Sequence, residues 1–311
     1  MTVPATKSWL PIAAATKSWL PIAAIGVTLF FWASAFVAIR HLGEEVGPGA
    51  LSLGRLLVGS LALGALLLTR PRRWPGRRDW LPLVGCGVLW FGFYNVALNE
   101  GERRIDAGTA AMVIQTAPIM IAILAAVFLR ERMTWRLGAG MVLAFGGVCL
   151  IGVSVSGTGA RDLVGVGLCV AAAAAYAISM ILQKPLLSRL SALEVTWFAC
   201  TIGTICCLPF SGELLRTVRE VPASSIGWIV YLGVFPTAIA FTTFAYALAR
   251  TDAGRLGVTT YLVPPITIAL GWLFLRESPP ALAFVGGFVC LVGVGVARMR
   301  PRARTREVVR A

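Results

Sequence analysis

Apolar residues occur along this chain in long runs, and charged residues are confined to the gaps between them. Ten stretches carry no charge away from their ends, or nearly none: 20–39, 49–69, 81–99, 107–129, 137–156, 163–183, 194–211, 226–249, 253–275 and 279–297. A helix rising 1.5 Å per residue needs about 20 apolar residues to cross the roughly 30 Å hydrocarbon core of a bilayer. The pattern therefore predicts an all-α polytopic membrane protein with ten transmembrane helices. Only the second stretch holds a charge well inside it, Arg55. The run after Lys17 is too long for the core of a signal peptide and reads as an uncleaved first helix.

Composition narrows this further. Of 311 residues, 58% are apolar and 14% charged, whereas about a quarter are charged in soluble domains. Ten spans leave only short loops, with no room for a soluble catalytic domain. The net charge of +14 is not a nucleic-acid footprint, because the basic residues lie between the spans. Counted by alternate gaps, 20 of the 28 Lys and Arg fall on the side of the N-terminus and seven on the other. The positive-inside rule then puts both termini in the cytoplasm. All seven cysteines lie within apolar runs, without ligand spacing, and read as small apolar filler.

A repeat is written into the second half of each unit. Residues 106–149 align without a gap onto 252–295, at an offset of 146, with 12 of 44 positions identical. Asp106-Ala107-Gly108 meets Asp252-Ala253-Gly254, and Pro118 meets Pro264. Phe128-Leu129-Arg130-Glu131 meets Phe274-Leu275-Arg276-Glu277, and Gly140 and Gly147 meet Gly286 and Gly293. The chain thus reads as a duplicated five-helix unit. Five is odd, so equivalent residues emerge on opposite sides, Glu131 cytoplasmic and Glu277 external: two inverted repeats, N-in and C-in. The expected units are a tail over 1–18, repeats over 19–156 and 157–298, and a basic tail over 299–311. Residues 5–14 and 15–24 both read ATKSWLPIAA, a tandem copy that looks like a recent duplication or a misassigned start, and residues 1–18 are expected to be poorly ordered.

These residues resemble the drug/metabolite transporter superfamily, EamA-type branch. The resemblance runs from about Leu20 to Ala297. It rests on a proline-centred helix, a Leu-Arg-Glu-like end and a glycine-rich helix, given twice: TAPIMIAILAAVFLRERMTWRLGAGMVLAFGGVCLIG and LVPPITIALGWLFLRESPPALAFVGGFVCLVGVGV. FFWASAF in the first helix, and Pro48 with Arg55 in the second, also fit. The second copy departs at Ser278-Pro279-Pro280. The resemblance implies a ten-helix carrier of amino acids and other small metabolites, several relatives being exporters, in the cell (inner or plasma) membrane.

Candidate chemistry follows from what apolar helices do not need. Pro118 and Pro264 each free the carbonyl one turn earlier, at Ile114 and Thr260. Paired interruptions at equivalent depths point to a transporter site; packing kinks are the alternative. Three residues before each proline stand Gln115 and Tyr261, suited to hydrogen-bonding a zwitterionic or amide solute or to joining helices. Trp32, Trp90, Tyr94, Asn95 and Tyr176 lie toward the middles of their helices, away from the interfaces where aromatics are routine. Arg55 is either an outer-leaflet anchor or a fork for a substrate carboxylate.

Absences matter as much. His41 is the only histidine, no Asp or Glu lies at a helix centre, and no Walker-type loop is present. No catalytic residue, metal or cofactor is expected, and no nucleic-acid partner. The expected function is a secondary carrier, exporting or exchanging small polar, amino-acid-like metabolites by alternating access, as a monomer or weak homodimer in contact with lipid. The alternative is a membrane-embedded lipid flippase or lipid-modifying protein.

Overall fold

The computed structural model describes residues 19–42, 45–71, 73–104, 113–155, 163–275 and 280–299; Glu277, residues 1–18 and residues 300–311, on which expectations were placed, lie outside them. Every element among the described residues is helical. In order they are α1 (Leu20–Leu42), α2 (Pro48–Leu68), α3 (77–104), α4 (Ala117–Phe128), α5 (Trp135–Val155), α6 (Leu163–Leu186), α7 (Ala192–Cys206), α8 (Ser211–Glu220), α9 (Ala223–Leu248), α10 (253–275) and α11 (Ala281–Arg298).

Eight of these are long and apolar enough to span a bilayer: α1, α2, α3, α5, α6, α9, α10 and α11. The stretch read as one helix over 194–211 differs from expectation. It breaks at Cys207, and the chain bends 53° into Leu208–Glu220. The second piece, α8, places Glu213, Arg216, Arg219 and Glu220 among Leu214, Leu215 and Val218, the pattern of a helix lying along an interface. Of the stretch 107–129, residues 107–112 lie outside the described residues and the rest contains the twelve-residue α4.

The offset of 146 recurs in the backbone where side chains no longer match. Helix α3 starts at Arg77 and α9 at Ala223. Each widens into a seven-residue π-helical segment, Gly87–Phe93 and Gly233–Ile239. After the proline breaks, helix resumes at Ala117 and Val263, and the glycine-rich helices start at Trp135 and Ala281.

Those glycine-rich helices, α5 and α11, pack antiparallel against each other. A Cβ on Gly147 would lie 2.6 Å from Gly286 O, and one on Gly293 2.4 Å from Ala144 N. Gly140 likewise faces Gly293. Equivalent residues therefore exchange partners, which is local two-fold symmetry. At its centre the equivalent positions Ala144 and Cys290 meet, Cys290 Sγ donating to Ala144 O at 3.3 Å. Small residues let backbones approach this closely where lipid supplies no hydrophobic drive.

The Phe-Leu-Arg-Glu end of α4 has a mechanical role. Arg130 takes a left-handed conformation (φ 56°), and Glu131 N donates back to Ala125 O at 3.1 Å, closing a left-handed turn that ends the helix. The reversal aims the Glu131 carboxylate at the start of α10. There it accepts from Ala253 N at 2.7 Å and Gly254 N at 3.1 Å, satisfying orphan donors at a positive helix end.

Candidate substrate cavity

The two π-helical segments set up the site. Widening a turn to i→i−5 leaves carbonyls poorly matched, and here side chains fill them. Asn95 Nδ2 donates to Trp90 O (3.2 Å) and Phe91 O (2.8 Å). Thr237 Oγ1 donates to Leu232 O, five residues back, at 2.8 Å. With its donor spent, Thr237 Oγ1 can only accept, and it accepts from Arg55 Nε at 3.1 Å. This holds the guanidinium inside the bundle, where Arg55 is 7% exposed. Among the described residues no carboxylate pairs with it.

The proline breaks contribute next. Before Pro118 the chain makes a turn at Gln115–Thr116, and before Pro264 a 3-10 turn at Thr260–Leu262. Both prolines thus sit at the second position of a new helix, where a missing N–H costs nothing. The Thr260 carbonyl accepts from Gln115 Nε2 at 3.0 Å, so one break is bridged by a residue of the other.

Between these features lies a cavity of about 100 Å³, walled by Arg55, Tyr94, Asn95, Asn99, Gln115 and Thr260 on its polar side, with Trp32, Trp90, Tyr176 and Phe241 among the rest. The nitrogens of Asn95 and Gln115 are held by backbone carbonyls, which fixes their amide orientation and leaves Oδ1 and Oε1 to a ligand. An aromatic lattice closes one end. Trp90 stacks on Tyr176 at 4.8 Å, and Trp32 lies 4.9 Å from Phe244 and 5.4 Å from Phe241. One group of the lattice, Trp32 Nε1, is buried without a hydrogen-bond partner.

Seven sequence-derived candidates meet on this wall: Trp32, Arg55, Trp90, Tyr94, Asn95, Gln115 and Tyr176. Pro118 and Pro264 lie off it and shape it only through the breaks. Tyr261 also lies elsewhere, fully buried against Phe145 in the core between α5 and α10. Asn99 and Phe241 were not anticipated, whereas Ile114 and Thr260, the positions whose carbonyls the prolines free, both line the wall. Asn99 stands four residues after Asn95, on the same helix face, and that spacing was the available signal.

Comparison with known proteins gives a consistent picture. The EamA-like transporter family matches twice, over residues 19–153 and 163–299. A "probable terminal-alkyne amino-acid exporter" of Streptantibioticus cattleyicolor is 39% identical over 289 residues, 91% of this chain and 95% of its own length. An S-adenosylmethionine/S-adenosylhomocysteine transporter of Chlamydia trachomatis is 28% identical, covering 86% of each chain. One solved crystal structure superposes with a TM-score of 0.75 over 91% of this chain and 99% of its own, at 20% identity, a likeness of fold alone.

Proposed function

The chain belongs to the EamA-like transporter family, and from that premise we propose that it is a secondary carrier exporting or exchanging amino-acid-like zwitterions by alternating access. It is a multi-pass small-molecule transporter; the solute, the direction and the cell membrane as its site belong to the proposal. So do ten spans with both termini cytoplasmic, inverted repeats over 19–156 and 157–298, and the tails over 1–18 and 299–311. The basic-residue asymmetry and the antiparallel α5–α11 pair support that topology. The smooth glycine faces are used up within the chain, which favours a monomer over even a weak homodimer.

One observation carries the substrate reading. Among the described residues the cavity presents a single cation, Arg55, without a carboxylate partner, and opposite polarity as amide oxygens on Asn95, Asn99 and Gln115, with no carboxylate in its wall. A carboxylate fits the guanidinium, and an ammonium fits the amide oxygens and aromatic faces. The relative named as a terminal-alkyne amino-acid exporter supports the same class.

Flux into proteoliposomes tests this. Labelled neutral amino acids should move, and their decarboxylated and deaminated analogues should move at least about tenfold more slowly, the worth of one charge-assisted contact. Flipping of a fluorescent lipid without amino-acid flux would replace the reading.

A further inference from the structure

Beyond the aromatic lattice, on the side away from the cavity, α6 buries polar groups that nothing satisfies. Gln183 is 0% exposed, and neither its Nε2 nor its Oε1 has a hydrogen-bond partner. Ser179 Oγ, also 0% exposed, has none. Counted from Tyr176 on the cavity wall, Ser179 and Gln183 stand at i+3 and i+7, on one face of the helix. Gln183 lies about 10 Å along the axis from Tyr176, at 1.5 Å per residue.

The direction of that stripe follows from α3. Gly101 approaches Cys169, Trp90 stacks on Tyr176, and Gly85 approaches Leu182, so α3 and α6 run antiparallel. The cavity-lining residues of α3, Trp90 to Asn99, therefore occupy the half of the pair toward the start of α6. Ser179 and Gln183 occupy the other half, which is closed. Its far end is tied by polar links: Lys184 Nζ donates to Leu248 O and Thr251 O, and Glu131 caps α10 beside them.

An unpartnered amide in an apolar interior is destabilising. Nothing about α6 requires one, since Ala172, Ala173, Ala177 and Met180 pack fully buried on the same helix. A second state that hydrates the stripe would satisfy it. We propose that Ser179 and Gln183 line the closed half of the permeation path, continuing from Tyr176 on the cavity wall, and that Lys184 latches its far end. The inference rests on the alternating-access reading above.

The full-length chain with its native cysteines replaced, in sealed proteoliposomes, carries Gln183→Cys, Ser179→Cys or Leu186→Cys. Leu186 is an equally buried control that packs with Leu83. A membrane-impermeant cationic methanethiosulfonate reagent, applied from the Lys184 side, should modify the first two at least about tenfold faster than the third. Equal, slow modification of all three overturns the proposal. This arm needs no known solute, so absent flux would count against the carrier reading and leave the path tested. Where flux is present, Gln183→Met should lower it about tenfold or more while the Tm in detergent holds or rises, because the sealed state loses its orphan group. Unchanged flux in that variant also overturns the proposal.

Discussion

The two halves of this chain share a backbone and divide the chemistry. Start points, π-helical segments and proline breaks recur at an offset of 146. Yet twelve of the sixteen residues lining the cavity come from before residue 157, and four from after it. The equivalents show why. Asn95 corresponds to Phe241, Asn99 to Ala245 and Gln115 to Tyr261, so polar heads in the first half become packing in the second. Duplication fixed the irregular backbone that a site needs, and substitution then put most of the ligand-facing groups on the first copy. Symmetry is retained where the halves touch as equals, at Gly140, Gly147, Gly286 and Gly293.

The largest effect should come from breaking that symmetric contact. In Gly293→Val a Cβ would meet the Ala144 backbone at 2.4 Å, which no side-chain rotation relieves. Overpacking of this kind costs about 3 kcal/mol or more, and thermal unfolding in detergent should show it plainly. Gly146→Ala and Gly295→Ala, where a Cβ meets nothing within 4 Å, should leave the Tm in place. If all three variants behaved alike, the contact would not join the halves as described.

The next effect should fall on transport alone. Arg55→Gln removes a buried cation that has no carboxylate partner among the described residues, so folding should not suffer. Flux of carboxylate-bearing solutes should drop about 100-fold, the upper worth of a hydrogen bond to a charged group. Arg55→Lys, which keeps the charge and loses the fork, should drop flux about tenfold. Normal flux in both variants would remove Arg55 from the site.

How far the sequence anticipated this depends on which constraint was acting. A bilayer demands long apolar runs, so the spanning helices were legible, as was the repeat, pinned by Pro118, Pro264 and the glycines. The π-helical segments were not, because no residue type marks an i→i−5 turn. Helix α8 was missed because four charges in ten residues look like a loop to a search for uncharged runs. Within the site, midplane placement brought Trp32, Trp90, Tyr94, Asn95 and Tyr176 onto one wall. Tyr261 shares Gln115's spacing from its proline, but spacing does not encode which helix packs behind it.

That divergence yields a smaller, paired effect. Gln115→Leu should lower flux about tenfold, since it removes an amide oxygen from the cavity and leaves Thr260 O without its donor, each worth about 1 kcal/mol. Tyr261→Phe deletes a hydroxyl that is buried and unpartnered, so flux should be normal and the Tm equal or higher. A loss in Tyr261→Phe as large as in Gln115→Leu would mean that both halves supply the site equally.

The smallest effect tests whether the π-helical segment of the second half acts on the solute only through Arg55. Thr237 does not line the cavity; its hydroxyl donates to Leu232 O and accepts from Arg55 Nε. Thr237→Val keeps the shape and loses both bonds. A neutral hydrogen bond nets about 1 kcal/mol, so flux of carboxylate-bearing solutes should fall about fivefold. Thr237→Ser, which restores the hydroxyl, should recover it. The decisive measurement is the double variant Thr237→Val with Arg55→Gln. If Thr237 works by aiming the guanidinium, its substitution adds nothing once the guanidinium is gone, and the double variant transports as Arg55→Gln does. Fully additive losses would show instead that the π-helical segment of the second half reaches the solute by a route of its own.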